Sequence, residues 1–395
     1  MRNSIGKPSS NMAEPPKPLT VGLVLDTSLD PPDGVQQYVI SLGEWLRAQG
    51  HTVHYLVGQT ERTDLRNIHS LSRNVRVKSN GNWTTIPLYA RRRDIRRLLR
   101  RIDFDVLHVQ TPHHPLMAQR IVLAADRRTA VIGTFHIAAY SWLEAVGARI
   151  LGWWLRPSLR RFDRILSVSP AAARFAKKTF GIETNVLPNV IDWRRFHAAR
   201  PLPQYDDDVL TILFLGRLVP RKGCRLLLEA AAELCKDHDL PRFRVVICGK
   251  GPEAPQLERF IRDNRLTELV EMVGFVSEED KPRYYASADI AVFPSSGGES
   301  FGIVLLEAMA GGRAAVLAGD NPGYRSVMEP RPELLFDPTS PKALAGQLKK
   351  YLLGAEERRA AAAWGMNYSR DFDTATVGRE LVKIYREALR KRRQP

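Results

Sequence analysis

The sequence predicts an α/β protein built as two doubly wound domains facing a central cleft. Two observations predict it. A strand, glycine-bearing loop, helix, strand pattern opens the chain and starts again after residue 208. The loops richest in glycine and charge also fall at the carboxyl ends of the apolar runs, where open parallel sheets hold ligands. A length of 395 residues fits two such domains better than one, and a hydrophobic fraction of 44% is ordinary for a packed enzyme.

Residues 1–17 are polar and Pro-rich, and a disordered tail without a signal-peptide pattern is expected there. A first strand spans 19–26. It leads through an Asp- and Pro-rich loop, Asp30-Pro31-Pro32-Asp33-Gly34, into a helix over 35–49. Val35, Val39, Leu42 and Leu46 recur there at helical spacing. A second strand at 51–57 completes one βαβ unit. Residues 75–86 are poorly periodic and contain Asn80-Gly81-Asn82, a turn signal. The helix over 91–102 places Ile95, Leu98, Leu99 and Ile102 on one face and arginines on the other. Strands at 105–109 and 130–134 enclose a helix at 116–125, and a helical region follows over 140–161. A strand at 164–168 precedes Ser169-Pro170, a helix cap and first residue. A last strand spans 185–188. The stretch 192–208, with Pro201, Pro203 and three consecutive Asp, reads as the interdomain linker.

The second half repeats the scheme with strands at 209–215, 243–248, 270–275, 290–294 and 314–317. Helices are expected at 224–235, 257–264 and 280–287, from about Phe301, from Pro341, from Ala355, and over 374–390. The assigned units are 1–17 as tail, 18–195 as acceptor domain and 196–205 as linker. Residues 206–365 form the donor domain, and 366–395 are a terminal segment packing back on the first domain.

Three loops carry chemistry. Gly216-Arg217-Leu218-Val219-Pro220-Arg221-Lys222-Gly223 follows a strand and opens a helix, putting fixed positive charge where a diphosphate leaving group gains negative charge. It is not a Walker A loop, because the Lys-Ser/Thr ending is missing. Gly249-Lys250-Gly251-Pro252 follows another strand. It is a turn by default, and in a nucleotide site it would bring Lys250 and Gly251 to base and ribose. Ser295–Gly312 places Glu299 just before a helix start and Glu307 two turns inside the helix, next to backbone N–H groups that favour an anion. In the first half, Gly34 opens a helix and Phe135-His136 ends a strand.

On these residues the chain resembles the family 4 retaining glycosyltransferases of GT-B architecture, over about residues 21–390. The most specific parts are Gly216-Arg217…Arg221-Lys222-Gly223 and Gly298-Glu299-Ser300-Phe301-Gly302…Glu307. Gly34-Val35-Gln36, Asn80-Gly81-Asn82 and Thr134-Phe135-His136 are similar to the phosphatidylinositol mannosyltransferases within it. The resemblance implies that Arg217 and Lys222 hold the donor diphosphate, with Gly216 and Gly34 beside it. It implies that Glu299 contacts the transferred sugar, as do backbone groups at Ser300, Phe301, Gly302 and Ile303. Glu307 would bind the ribose. His136 would contact the reacting sugar or acceptor, and Gln36, Asn80 and Asn82 a polyol head group. No cofactor is expected to be tightly bound. GDP-mannose is the expected donor, no metal ligands are expected, and any Mg2+ stimulation would come without a dedicated site. Retention is expected by front-face attack, with no second carboxylate opposite Glu299 to act as nucleophile. Two departures stand out. Asp33 replaces the first glycine of a common pair, so it must point away or bind the acceptor, and His113-His114 follow Pro112.

The net charge of +16 lies in the first half, where residues 1–200 hold 30 Lys+Arg against 15 Asp+Glu. An anionic partner is therefore expected on that half. The expectation is an anionic membrane surface contacted by residues 83–102, with a lipid-linked polyol acceptor, at the inner face of the cytoplasmic membrane. Trp83 and Trp153-Trp154 would suit such an interface. The most apolar stretch, 140–155, contains Glu144 and Arg149 and is no transmembrane span. Cys224, Cys235 and Cys248 have no metal-ligand spacing and read as reduced thiols. Two alternatives remain: a UDP-sugar donor with a soluble or polysaccharide acceptor, and a basic nucleic-acid-binding protein. The second is disfavoured because no stacking platform or binding motif accompanies the charge.

Overall fold

The computed structural model describes residues 17–30, 33–79, 82–136 and 155–394, with backbone alone over 76–79 and 82–89. In the first half, β1 (Thr20–Leu25), α1 (Gly34–Ala48), β2 (Thr52–Val57) and β3 (Ile68–Ser70) are followed by a hairpin of β4 (Ser72–Ser79) and β5 (Asn82–Ala90). Then come α2 (Arg92–Arg101), β6 (Val106–Gln110), α3 (Met117–Ala124), β7 (Ala130–Phe135), β8 (Arg164–Ser167), α4 (Pro170–Phe180) and β9 (Asn185–Val186). All strands but the hairpin form one parallel sheet, ordered β3-β2-β1-β6-β7-β8-β9. Continuous apolar runs make this possible, since helices cover both faces of a parallel sheet.

The second half begins with a short helix, α5 (Trp193–His197). It continues with β10 (Leu210–Leu215), α6 (Cys224–Leu234), β11 (Phe243–Cys248), α7 (Ala254–Asp263), β12 (Val270–Gly274) and α8 (Lys281–Ala286). After these come β13 (Ile290–Phe293), α9 (Ile303–Ala310), β14 (Ala315–Gly319), α10 (Pro322–Met328), β15 (Leu335–Phe336), α11 (Pro341–Leu353), α12 (Ala355–Ser369) and α13 (Thr374–Arg393). Its sheet runs β12-β11-β10-β13-β14-β15, again parallel. Strand order reverses at β1/β6 in one sheet and at β10/β13 in the other, the kind of switch point at which open parallel sheets hold ligands.

Several expectations change. The stretch read as linker is packed: Trp193, Phe196, Leu202 and Tyr205 are buried in the second core. One helical turn with two aromatics on a face is too short to show a period. The poorly periodic stretch becomes strands β4 and β5, paired from Ser72↔Ala90 to Ser79↔Asn82. The cationic helix α2 does not keep its apolar face for a membrane. Ile95 is buried against the β1–β6–β7 core and the half-buried Leu98, Leu99 and Ile102 pack on it, so the fully exposed positions are those of the charged face. Trp153 and Trp154, most of the expected helical region over 140–161, and the side chain of Trp83 lie outside the described residues.

The chain returns to the first domain at Asp373, bridged to Ile191. From there α13 lays Val377, Leu381, Tyr385, Ala388 and Leu389 into the first core, whereas Met366, Tyr368 and Phe372 stay against the second. Tyr385 Oη sits 2.7 Å from His108 Nδ1, and His108 Nε2 sits 2.7 Å from Thr134 Oγ1. All three groups are buried, so each depends on the others for its hydrogen bond. Tyr385→Phe strands a buried imidazole nitrogen and should cost about 1–3 kcal/mol in denaturant unfolding. An unchanged midpoint would mean that α13 docks through apolar contacts alone.

Candidate functional site

The loops after β10 and β13 are neighbours because their strands pair side by side. The first ends in a 3-10 turn, Pro220–Lys222, and the second carries Glu299. Lys222 Nζ lies 2.8 Å from Glu299 Oε1, Arg221 Nη1 lies 2.7 Å from the same oxygen, and Ser295 Oγ is 3.0 Å away. Burial by itself would raise the Glu299 carboxyl, but Lys222, Arg221 and the Ser295 hydrogen bond outweigh it and hold the group below its usual range. Glu299 is thus an anion clamped between two cations. Helix α9 starts at Ile303 and not at Phe301, because Gly302 adopts φ 115°, a left-handed conformation that ends the loop. The first N–H groups of α9 have no partner inside the helix and form its positive end.

The start of α1 faces this cluster across the cleft. A Cβ placed on Gly34 would lie 3.7 Å from Ile303 Cγ2. Ser169 Oγ donates to the Ser300 carbonyl. Arg217, the other cation expected at the diphosphate, does not join Lys222 on Glu299. It reaches to Asp33 of the opposite domain, Nη1 to Oδ1 4.0 Å. Asp33 therefore faces Arg217, the residue expected to bind the diphosphate.

Other expected donor residues are more dispersed. Glu307 is buried, with Oε1 3.0 Å from Lys281 Nζ and Tyr285 Oη 3.4 Å from Oε2. Burial lifts the Glu307 carboxyl above its ordinary value, with Lys281 pulling the other way. Burial also opposes the Lys281 ammonium, but Glu307 and Glu278 prevail and keep it protonated. Lys250 is exposed, its Nζ 5.7 Å from the centre of the Phe275 ring. Gly251 has a structural reason to be glycine, because a Cβ there would come within 2.1 Å of the Leu218 carbonyl. At Gly216 the nearest atom to such a Cβ, on Phe214, is 3.5 Å away, so protein packing does not demand glycine. Phe301 is buried in the second core and offers only backbone.

The first-domain side is a polar floor at the ends of β1, β6 and β7. His136 is buried, its Nε2 2.7 Å from Gln110 Oε1 and its ring edge-on to Tyr38 at 5.0 Å. Burial pushes its pKa down to about 3, against a hydrogen bond with Asn189, so the ring is neutral. Asp26 Oδ2, Gln110 Nε2, His113 Nδ1 and Gln119 Oε1 are buried without a protein hydrogen bond. Such capacity at one sheet edge suits a ligand rich in hydroxyls. Gln36 does not add to it, since its amide donates to the Ser28 carbonyl (3.2 Å) and Thr27 Oγ1 (3.4 Å) and so braces the loop. Asn80 and the Asn82 side chain lie outside the described residues.

Four contributors escaped the sequence reading. Arg221 shared a basic loop with Lys222 but gave no sign of which of the two would meet Glu299. Asn321 caps α10 and donates through Nδ2 to the Ser295 carbonyl at 3.0 Å. Ser295 and Lys281 became visible only as partners of the two glutamates. Among the described residues no cluster of three or more His, Cys, Asp or Glu could hold a metal ion, and no helix is long and apolar enough to cross a membrane.

Residues 199–365 match the family model described as glycosyl transferases group 1, and residues 32–195 match that of glycosyltransferase family 4. A phosphatidyl-myo-inositol mannosyltransferase of Mycobacterium tuberculosis H37Rv is 31% identical over 375 residues, covering 93% of this chain and 96% of that one. Among solved structures, a glycosyltransferase from Rickettsia africae superposes with a TM-score of 0.74 at 19% identity, covering 94% of this chain and 99% of that one. Anabaena HepE in complex with UDP and glucose does so with 0.72 at 18%, covering 93% and 100%.

The buried imidazoles set an acid limit. Burial depresses His108 and His136 to about 3, whereas the unfolded chain takes up those protons near 6.5. Their contribution is complete above 6.5 and is lost as pH falls from there towards 3. At pH 5 each should have cost about 2 kcal/mol, at ~1.4 kcal/mol per pH unit. Thermal melts should drop between pH 7.5 and 5, and His136→Gln should flatten that slope. An equal slope in the variant would contradict the assignment.

Proposed function

We propose, from the premise that this chain belongs to the family 4 glycosyltransferases, that it transfers mannose from GDP-mannose to a phosphatidylinositol-type acceptor with retention of configuration. The observation that carries the donor half is the Lys222–Glu299–Arg221 cluster at the positive end of α9. Lys222 and Arg217 neutralise the departing diphosphate, as a metal does elsewhere. All three contacts to Glu299 converge on Oε1, which leaves Oε2 to orient a hydroxyl of the transferred sugar. Glu307 takes the ribose, sharing its oxygens with Lys281 and Tyr285. The acceptor hydroxyl attacks on the face from which the diphosphate leaves, and a phosphate oxygen receives its proton.

The acceptor half is supported by the first domain's unused polar capacity around His136 and by the similarity to inositol-lipid mannosyltransferases. His136, neutral and fixed by Gln110, contacts the sugar or the polyol. Membrane docking on this reading is electrostatic. The arginine face of α2 is exposed, and its apolar face packs largely on the first domain. On this reading the enzyme works at the inner face of the cytoplasmic membrane. A UDP-sugar donor with a soluble or polysaccharide acceptor is the competing assignment within the same fold.

A donor-by-acceptor activity matrix decides between them. GDP-mannose with inositol phospholipid should give product, and turnover only with UDP-sugars would overturn the mannose reading. Glu299→Gln and Lys222→Ala should each lower kcat/KM by about 100-fold or more. Full activity in either would refute the site. In flotation, Arg92→Glu, Arg96→Glu and Arg100→Glu together should release the protein from anionic vesicles at low salt. Equal recovery on neutral vesicles would exclude electrostatic docking.

A further inference from the structure

Three cations line the loop after β10. Arg221 and Lys222 are offset by Glu299, and Arg217 pairs with Asp33. Asp33 is the residue before α1, with φ −84° and ψ 158°, the usual backbone of a helix cap. Aspartate there ordinarily accepts from the helix's own first N–H groups. Its side chain makes no such bond and extends to the other domain. The carboxylate thus forgoes a local partner for a cation expected to serve the donor.

Resting on the donor reading above, we infer that Asp33 is a displaceable stand-in for the donor diphosphate and lowers the enzyme's hold on nucleoside diphosphates. With no donor bound it neutralises Arg217 and adds a polar tie between domains already joined by the hydrogen bond from Ser169 to the Ser300 carbonyl. A diphosphate competes for the same guanidinium, because two anions cannot share it without repulsion. The Asp33 side chain is 57% exposed, so it has solvent to turn into when displaced. After transfer the same competition runs in reverse. Asp33 recaptures Arg217 and helps the nucleoside diphosphate depart, a step that limits turnover in many enzymes.

The test is calorimetric titration of GDP and of UDP into the full chain and into Asp33→Asn, Asp33→Glu, Arg217→Gln and the double variant Asp33→Asn/Arg217→Gln. A half-exposed pair supports an effect of about two- to fivefold. Asp33→Asn should tighten whichever diphosphate binds by that factor and lower the donor KM. Asp33→Glu should stay near wild type, and Asp33→Asn should have no effect once Arg217 is replaced. Unchanged affinity in Asp33→Asn, or tightening that persists without Arg217, would overturn the inference while leaving the donor reading intact. Loss of turnover in Asp33→Asn at unchanged affinity would overturn it too, by giving the carboxylate a part in the chemistry. Failure of the wild type to bind either diphosphate would bring down the donor reading and this inference together.

Discussion

The carboxylate of Glu299 between Lys222 and Arg221 is the interaction on which the rest of the cleft depends. The basic loop after β10 concentrates positive charge at the position proposed above for an anionic donor. Without an internal anion those charges would repel one another and hold the loop open. A single partly buried carboxylate fixes two of them and ties the loops of adjacent strands together. Asn321 then secures the second loop from behind through the Ser295 carbonyl. The result is cationic and already ordered, so little must be rearranged when a phosphate arrives.

The two domains contribute unlike halves. The second supplies fixed charge and a helix end. The first supplies buried neutral groups with unused hydrogen-bonding capacity. That division suits a reaction in which an anionic leaving group stays on one side while a polyhydroxylated nucleophile comes from the other. Contacts at Ser169–Ser300 and Asp33–Arg217 bring the halves together in this structure.

Much of this was legible in the chain. Strands and loops of the second domain show in the sequence because each is a local apolar run followed by glycine and charge. Lys222 and Glu299 sit in motifs of that kind. What stayed hidden depended on partners far along the chain. Arg221 meets a residue 78 positions away, and no local pattern says whether Arg217 or Arg221 will do so. Asp33 read as an awkward charge because its partner lies in the other domain. The α2 helix showed one apolar face, but periodicity cannot say whether lipid or protein covers it, and Ile95 settles on protein. The β4–β5 hairpin has no clean alternation, and its pairing emerges only from register.

The course of α13 carries a different consequence. Val377, Leu381, Tyr385, Ala388 and Leu389 complete a core whose other buried members lie between Leu19 and Val190. During synthesis the first domain emerges early yet lacks one wall until residues 377–389 have been made. Its apolar surface around Tyr38, Val39 and Leu42 then waits through the making of the whole second domain. Vectorial folding, which normally lets an amino-terminal domain close before the next begins, is thereby interrupted. Truncation at the far end would show first as aggregation of the opposite end.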